Sequence, residues 1–206
     1  MTFHAIPLLL LADLVADLPA AVRLQRLVGS LRAHFACGAV ALLKLEEEHL
    51  RPIAVDGLSS DALGRRFAVK DHPRLAAILQ RQGVTCFHHD STLPDPYDGL
   101  IEEHAGEPMP VHDCMGLPLD VEGGRWGVVT LDALEVGTFD AQAQRDLGAL
   151  ACVIEAAVRI TRLEAEVRAL RLSRGQAPTS NHSPREESEI VGQSEAITHL
   201  LHELQV

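Results

Sequence analysis

The first third of the chain changes from a helical to a strand-like pattern of apolar residues. Apolar side chains recur every three or four positions over residues 14–31, which predicts one helix over 6–17 and a second over 19–35. Short apolar runs follow at 39–45 and 51–55 and are separated by a polar turn. We expect these two runs to form an antiparallel pair of strands.

The middle of the chain combines a short helix, a long loop and a hairpin. A helical pattern that begins with a proline covers residues 73–83, and a short strand is predicted over 84–87. Residues 88–110 are rich in Pro, Gly, Asp and His and lack a sustained period, which predicts a long loop with a function. Residues 111–121 and 126–134 have the pattern of two hairpin strands.

The register of this hairpin decides which side chains share a face. A three-residue loop at Glu122-Gly123-Gly124 predicts that the numbers of paired residues add up to 246. This register sets Leu117 opposite Val129 and Met115 opposite Leu131, which gives one continuous apolar face. A two-residue loop that shifts the sum to 247 mixes apolar with polar positions, which a half-buried sheet disfavours.

A long helix is predicted over residues 140–172. Its apolar residues step by alternating threes and fours, as in the seam of a two-stranded coiled coil, at Val153, Ala156, Ile160, Leu163, Val167 and Leu170. Packing on the chain's own sheet explains the first half equally well, whereas pairing with a second chain is favoured beyond Arg162. Residues 173–188 have the composition of a linker, and 189–206 predict the incomplete start of a further domain.

The composition is typical of a soluble globular protein. Of 206 residues, 47% are hydrophobic, and 18 basic against 29 acidic side chains give a formal net charge of -11. An acidic chain with scattered basic residues does not favour a nucleic-acid-binding surface. The leucine run at 8–11 is much shorter than the roughly 20 apolar residues of a membrane span, and the start lacks a secretory signal pattern. Four cysteines at irregular spacing indicate thiols in a reducing cytoplasm.

Together these elements predict an α+β fold. We expect a central antiparallel sheet with the amino- and carboxy-terminal helices on one face, and the long loop and the helix at Pro73 on the other. This arrangement resembles a GAF domain, a small-molecule sensing module, but a fold alone does not identify a ligand. The sequence contains no phosphate-binding loop, dinucleotide fingerprint or nucleophile elbow, so we do not expect an enzyme.

Candidate metal ligands cluster on the predicted hairpin and in the loop before it. His112, Cys114 and Asp132 share the face opposite the apolar one, and the loop adds Asp95 and Asp98 in a proline-stiffened segment. Carboxylates with one imidazole and one thiolate suit a mononuclear ferrous ion better than structural zinc, which usually takes four Cys and His ligands. Ferrous iron with a replaceable position is a receptor for diatomic gases.

Simpler interpretations of these residues are also open, and spacing alone favours them. Residues 95–98 fit an ordinary turn, Asp132 a strand-end cap and Cys114 a small core residue. Arg74 fits either a bidentate partner of a site carboxylate or a solvated side chain. The charged Asp113 puts the start of its strand in doubt. The other cysteines are interpreted as packing thiols, at Cys37, Cys86 and Cys152.

Many short blocks follow one another in order through most of residues 20–206. They are Asp56-Gly57-Leu58, Leu63-Gly64-Arg65-Arg66-Phe67-Ala68, His72-Pro73-Arg74-Leu75, Leu93-Pro94-Asp95-Pro96-Tyr97-Asp98-Gly99-Leu100, Val111-His112 with Cys114, Gly116-Leu117-Pro118-Leu119, and Thr130-Leu131-Asp132. This series resembles the nitric-oxide-responsive NorR family of bacterial sigma-54 enhancer-binding activators. Ile190-Val191-Gly192-Gln193-Ser194 resembles the opening of the AAA+ ATPase domain in these activators.

The resemblance implies a domain organisation and a metal site. Residues 1–172 would be a GAF sensor that ends in a transmitter helix over about 140–172, followed by a linker at 173–188 and the start of an AAA+ domain at 189–206. The family's non-haem Fe(II) ligands fall here on Asp95, Asp98, His112, Cys114 and Asp132, with Arg74 as a neighbour or possible further ligand.

The resemblance also implies a function and partners. Nitric oxide would bind the iron and relieve inhibition of the AAA+ ATPase, which switches on nitric-oxide detoxification genes. We expect an intramolecular contact with the AAA+ domain, a homo-oligomer through the carboxy-terminal helix, and a cytoplasmic location without membrane contact. Sigma-54 RNA polymerase and enhancer DNA would be bound only by domains outside this chain.

Two rival functions follow from the same residues. A metal-free GAF module would bind an organic effector or act only as a protein-interaction or dimerisation domain. A redox sensor would act through Cys114 alone and respond to peroxide without Asp95 and Asp98.

Overall fold

Helices flank a six-stranded sheet in the described part of the chain. The computed structural model describes residues 5–101 and 113–175, with side chains over 8–101 and 113–173. The helices are α1 (Ala5–Val15), α2 (Ala20–Phe35), α3 (Asp61–Gly64), α4 (Pro73–Gln80) and α5 (Ala141–Gly175), and a 3-10 turn covers Val69–Asp71. The strands are β1 (Ala39–Glu46), β2 (His49–Asp56), β3 (Phe67–Ala68), β4 (Thr85–Phe87), β5 (Asp113–Val121) and β6 (Gly124–Ala133).

The predicted elements are present within a few residues of their expected ends. The strands form one antiparallel sheet in the order β3-β2-β1-β6-β5-β4, which confirms the α+β class. The pattern did not predict α3, the 3-10 turn or β3. With four, three and two residues, these elements are too short to show a period.

The sheet carries a separate core on each face. On one face, Leu42 and Leu131 of the sheet pack with Leu31 of α2 and Leu150 of α5. On the other, a second cluster joins the sheet to α4 and to the loop after β4, and includes Leu43, Val128, Leu75, Ile78, Tyr97 and Leu100. The predicted division of helices and loop between the two faces is therefore confirmed for the described residues.

The hairpin of β5 and β6 has the predicted register but a different turn. Leu117 pairs with Val129 and Cys114 with Asp132, so the sum of 246 is confirmed. The predicted three-residue loop is wrong because the turn is Glu122-Gly123, whose φ angles of 55° and 80° both lie in the left-handed region. Both central residues of a type I′ turn need this conformation. A bulge between Leu119 and Asp120 takes up the one-residue difference.

The two halves of α5 have different surroundings. Asp140 precedes the helix, and its Oδ1 accepts the backbone N–H groups of Gln142 and Ala143 at 2.9 and 2.8 Å, as an N-cap residue does. Leu147, Leu150, Ile154, Ala157 and Val158 are buried in the core of the chain's own sheet. Farther along, Leu163, Val167 and Leu170 are 39%, 45% and 59% exposed. The first half therefore packs on its own sheet, and pairing of the second half with another chain stays a prediction.

The chain divides into two units at residues 1–170 and 171–206, and the second is described only over 171–175. The predicted linker and AAA+ start fall on residues outside the described ones, apart from the first residues of the linker range. Those first residues, 173–175, belong to α5. Among the described helices, none has the length and apolar character to cross a membrane.

Candidate metal centre

Three potential metal ligands from two strands and a loop meet at one buried point. Cys114 on β5 lies opposite Asp132 on β6, and Asp95 comes from the loop after β4. The Cys114 Sγ and one carboxylate oxygen from each aspartate all lie within 4.8 Å of one another. Cys114 and Asp132 are fully buried, and Asp95 is nearly so. The predicted hairpin register thus brings the two strand residues together, and the loop adds the third.

Neighbouring groups hold both oxygens of Asp95. Arg74 on α4 donates from Nη1 to Asp95 Oδ2 at 2.6 Å, and the backbone N–H of Tyr97 donates to Asp95 Oδ1 at 2.8 Å. Arg74 is itself buried, and its Nε donates to the carbonyl of Leu93 at 2.8 Å. The ion pair proposed for Arg74 is therefore present, but its guanidinium bridges the carboxylate and the loop backbone instead of forming a fork on the carboxylate.

Asp132 is buried without the hydrogen bonds that would offset the cost of its burial. Neither of its carboxylate oxygens has a hydrogen-bond partner of ordinary geometry among the described residues, although the side chain is fully buried. Burial raises the pKa of Asp132 well above its usual value, and the nearby Asp95 carboxylate raises it further. The Cys114 thiol and the Arg74 guanidinium act in the opposite direction, and they are too weak to reverse the shift.

Cys114 responds to the same surroundings. Burial raises the pKa of its thiol well above the usual value, and the Asp132 and Asp95 carboxylates raise it further. The protonated forms of Cys114 and Asp132 are thus favoured in the absence of a cation. A divalent cation would replace these protons, because thiolate and carboxylate are the forms that coordinate metals.

The donor set fits a first-row divalent ion. Oxygen and sulfur ligands lie about 2.0–2.3 Å from such ions, so two ligands on opposite sides are separated by about 4.0–4.6 Å. The three ligand atoms lie within 4.8 Å of one another, which exceeds the upper end of this range by only a few tenths of an ångström. Two carboxylates and one thiol give a mixed oxygen and sulfur set, unlike the four Cys and His ligands of closed structural zinc sites.

Two of the five predicted ligands are not part of this group. Asp98 is exposed on the loop, and His112 directly precedes β5 and lies outside the described residues. The complete ligand set therefore stays a prediction. Arg65, Arg66, His88 and His89 are exposed.

The remaining cysteines are not members of this group, although the Asp132 carboxylate contributes to the raised pKa of Cys37. Burial raises the pKa of Cys37 to about 12 and that of the half-buried Cys86 to about 11. Both thiols pack with the core on the helical face of the sheet, as expected for packing residues. Cys152 is exposed on α5.

Sequence reasoning missed two residues beside the ligands. The hydroxyl groups of Tyr97 and Thr130 lie 2.8 Å apart in a buried hydrogen bond. Thr130 is two residues before Asp132 on β6 and therefore shares its face of the sheet. Burial and the nearby Asp132 carboxylate raise the pKa of Tyr97 well above its usual value, so the phenol keeps its proton. A useful signal was the alternation of Thr130 with Asp132, which predicts two polar side chains on one face.

Sequence reasoning also left the role of Asp113 open. This residue begins β5 and is fully buried. Its carboxylate accepts the backbone N–H groups of His89 at 3.1 Å and Gly137 at 2.6 Å. A charged residue can therefore begin the strand because its oxygens satisfy two loop amides.

Comparison with known proteins identifies the fold and related regulators. A family model described as the GAF domain matches residues 20–158. Two of the solved structures that resemble the chain illustrate the fold. The GAF domain of a phosphoenolpyruvate-protein phosphotransferase from Coxiella burnetii has a TM-score of 0.61 at 18% identity and covers 82% of this chain and 96% of that one. The phycoerythrobilin-bound GAF domain of a cyanobacterial phytochrome has a TM-score of 0.59 at 16% identity and covers 80% and 97%. At these identities the likeness concerns the fold alone.

Curated relatives are more similar in sequence. The nitric oxide reductase transcription regulators NorR1 and NorR2 of Cupriavidus necator are 70% and 68% identical over 96% of this chain. The anaerobic nitric oxide reductase transcription regulator NorR of Serratia proteamaculans is 42% identical over 89% of it. These identities confirm the resemblance to the NorR family, whose members carry the names of regulators and not of enzymes. The chain spans 38%, 38% and 36% of the length of these three relatives.

Proposed function

Because the chain belongs to the GAF domain family, we propose that it is the sensor region of a nitric-oxide-responsive transcription activator and that its cluster holds mononuclear non-haem Fe(II). One observation carries this proposal: Asp95, Cys114 and Asp132 converge within 4.8 Å, and the oxygens of the buried Asp132 lack hydrogen-bond partners in the described chain. Such a group is costly unless a cation neutralises it. The relatives are named as transcription regulators of nitric oxide reductase, and nitric oxide is the signal in this proposal.

The chain's own residues have distinct tasks at this site. Cys114 and Asp132 lose their protons when metal binds and offer a thiolate and a carboxylate from adjacent strands. Arg74 and the Tyr97 backbone N–H hold Asp95 in place beside Cys114 and Asp132. Asp98 and His112 complete the proposed ligand set. Ferrous iron, when bound, supplies the position at which nitric oxide is recognised.

The regulatory output requires the rest of the parent protein. In this proposal the sensor restrains the AAA+ domain, which starts within residues 189–206, and nitric oxide weakens that contact. A change of about 1.4 kcal/mol in the contact free energy shifts the balance between restrained and active forms tenfold. Sigma-54 RNA polymerase and enhancer DNA are bound by domains beyond this chain, in the cytoplasm.

Anaerobic metal loading tests the proposed site. Protein purified without oxygen and incubated with ferrous iron should bind one equivalent and give a high-spin iron-nitrosyl EPR signal after addition of nitric oxide. Asp132→Asn and Cys114→Ser should each weaken both readouts. Cys37→Ser is the matched control, since Cys37 is also a buried thiol but is not one of the three clustered ligands and belongs to the core on the other face of the sheet. Wild-type protein that binds no iron would refute the proposal.

The same experiment separates the rival functions. A metal-free effector module would show no bound metal and a hit in an organic ligand screen. A redox sensor would respond to peroxide through Cys114 without the aspartates. The raised pKa of the buried Cys114 thiol opposes the redox interpretation, because the thiolate is the reactive form.

We also propose that the exposed second half of α5 pairs with a second copy of the chain as a parallel coiled coil. The positions that would face the partner alternate between β-branched residues, Ile160 and Val167, and leucines, Leu163 and Leu170. β-branched residues at the first core position of each heptad and leucine at the second favour parallel two-stranded coiled coils. The exposure of Leu163, Val167 and Leu170 leaves this stripe available.

The charges that flank the stripe support the parallel orientation. In a parallel pair, Arg159 of one copy faces Glu164 of the second, and Glu166 faces Arg171. In an antiparallel pair centred on the exposed stripe, Glu164 would instead lie beside Glu164 of the second copy, and Glu166 beside Glu166 of the second copy. These like charges would repel each other. Within its own chain Glu164 already accepts from the buried Arg23 at 2.7 and 2.8 Å, so the pair of Glu166 with Arg171 is the one that supports the parallel orientation.

Light scattering with size-exclusion chromatography tests this pairing. Replacing Leu163 and Leu170 with serine should convert the dimer to a monomer without lowering the helix content of the sensor core. Leu172→Ser is the matched control, because Leu172 is 66% exposed and lies off the stripe. A monomeric wild-type chain at all concentrations, or a dimer that survives the double substitution, would contradict the proposal.

A further inference from the structure

A buried pair of hydroxyl groups connects the loop that carries Asp95 to the sheet that carries Asp132. Tyr97 is 1% exposed and Thr130 is fully buried, and their hydroxyl oxygens are 2.8 Å apart. Tyr97 comes two residues after Asp95, and Thr130 two residues before Asp132. The bond therefore joins the two chain segments that bring the aspartates together.

Tyr97 contacts Asp95 directly as well. Its backbone N–H donates to Asp95 Oδ1 at 2.8 Å, so the position of the Tyr97 backbone sets the position of the carboxylate. Downstream of Tyr97 the loop is secured by its own contacts, because the N–H of Ser59 donates to the carbonyl of Leu100 at 2.7 Å and Leu58 forms a bridge with Ile101. At Tyr97 itself, the phenol is the group that reaches β6.

We propose that the hydrogen bond between Tyr97 and Thr130 fixes the distance from Asp95 to Cys114 and Asp132, which makes both hydroxyl-bearing residues positioning residues of the metal centre. This inference rests on the proposed function, since it assumes that the cluster binds metal. Outer groups that orient ligands in this way typically change metal affinity by about 10- to 100-fold when they are removed.

The competing explanation is that Tyr97 only fills the core. Its ring makes an edge contact with Phe67, with ring centroids 5.6 Å apart, and phenylalanine would preserve that packing. The hydroxyl is therefore the atom that distinguishes positioning from packing. Removing one hydroxyl of the pair leaves the other buried without its partner, whereas removing both with residues of the same shape is nearly neutral for stability.

This difference gives a test with two independent readouts. Metal affinity and unfolding midpoint are measured for wild type, Tyr97→Phe, Thr130→Val and the double variant, with Fe(II) under anaerobic conditions and Co(II) as a spectroscopic probe of thiolate coordination. Both single variants should bind each metal at least about tenfold more weakly. The double variant should recover the unfolding midpoint but not the affinity, and its Co(II) thiolate absorption should differ from that of wild type.

Two further variants separate the hydroxyl from general effects of substitution. Thr130→Ser retains the hydroxyl and should bind metal with the affinity of wild type, in contrast to Thr130→Val. Thr85→Val is the matched control, because Thr85 is also buried in the sheet and its hydroxyl has no hydrogen-bond partner among the described residues. It should bind metal as wild type does.

The outcomes are distinguishable from failure of the proposed function. If the double variant recovers the wild-type metal affinity together with the wild-type unfolding midpoint, the positioning role is overturned and the metal site remains. Wild-type protein that binds neither Fe(II) nor Co(II) overturns the metal site, and the positioning role with it.

Discussion

Replacing Asp132 with asparagine should stabilise the metal-free protein and weaken metal binding at the proposed site. The Asp132 side chain is fully buried, and its two oxygens lack hydrogen-bond partners in the described chain. Burial and Asp95 raise the pKa of Asp132, so between the unfolded and the folded pKa the folded state binds a proton that the unfolded chain has released. A neutral amide of the same shape removes this penalty.

The size of the effect follows from the cost of leaving a buried polar group unsatisfied. That cost is about 1–3 kcal/mol for a neutral group and more for a charged one. Asparagine keeps the neutral cost but not the additional cost of the charge, so Asp132→Asn should raise the free energy of unfolding by about 1–3 kcal/mol at pH 7.5. For a chain of this size, each kcal/mol corresponds to about 2–4 °C in Tm. The variant should therefore melt a few degrees to about 10 °C above wild type when a chelator is present.

The pH dependence has a definite sign. The pKa of Asp132 is raised in the folded state, so metal-free wild type loses stability as pH rises from the unfolded value of about 4 through the folded pKa. The asparagine variant lacks this loss. Its advantage should therefore be small at pH 4.5 and larger at pH 7.5, as measured by urea unfolding followed by circular dichroism.

Asp113 provides a matched control, because its substitution should change the free energy of unfolding in the opposite direction. It is as buried as Asp132 but accepts two backbone N–H groups, at 3.1 and 2.6 Å. Asp113→Asn replaces an accepting oxygen with an amide group that donates, so it should destabilise the protein by about 1–3 kcal/mol. The reasoning is refuted if Asp132→Asn destabilises the metal-free protein, or if its advantage is equal at both pH values.

Three other measurements test particular contacts. Arg74→Gln breaks a buried ion pair and should lower the free energy of unfolding by about 3–5 kcal/mol in urea titrations, whereas the same change at the exposed Arg65 should have little effect. Gly127→Ala would push a Cβ into the carbonyl oxygen of Leu43 and should cost about 1–3 kcal/mol, while Gly64→Ala meets nothing within 4 Å and should be nearly neutral in the same assay. Ferrous iron at about 100 times its Kd should raise the free energy of unfolding of wild type by about 2.7 kcal/mol. The same addition should not raise the melting temperature of a variant that lacks a ligand, such as Cys114→Ser.

The sequence predicted the parts of the fold in which a whole apolar face must be buried. The pairing of Leu117 with Val129 was predictable because a shift by one residue would expose that face. The turn was not, because Glu122 adopts φ 55°, which a non-glycine residue rarely does, and the bulge after Leu119 restores the register.

The same distinction applies to the candidate site. The contact between Cys114 and Asp132 follows from the register and was predictable. The hydrogen bonds of Tyr97 and Asp113 depend on the path of loops, which no period in the sequence describes. Asp95 was a candidate because of its proline-stiffened segment, but its approach to the strands depends on the path of a long loop and not on a pattern.

The position of Asp113 links the site mechanically to α5. It is the covalent neighbour of Cys114, and its carboxylate accepts the N–H of Gly137 at 2.6 Å. Three residues later, Asp140 caps the start of α5. A displacement of Cys114 along its strand must therefore either carry the beginning of α5 with it or break one short hydrogen bond. This bond adds a polar connection to the apolar contacts through which β5 and the first half of α5 already share one core.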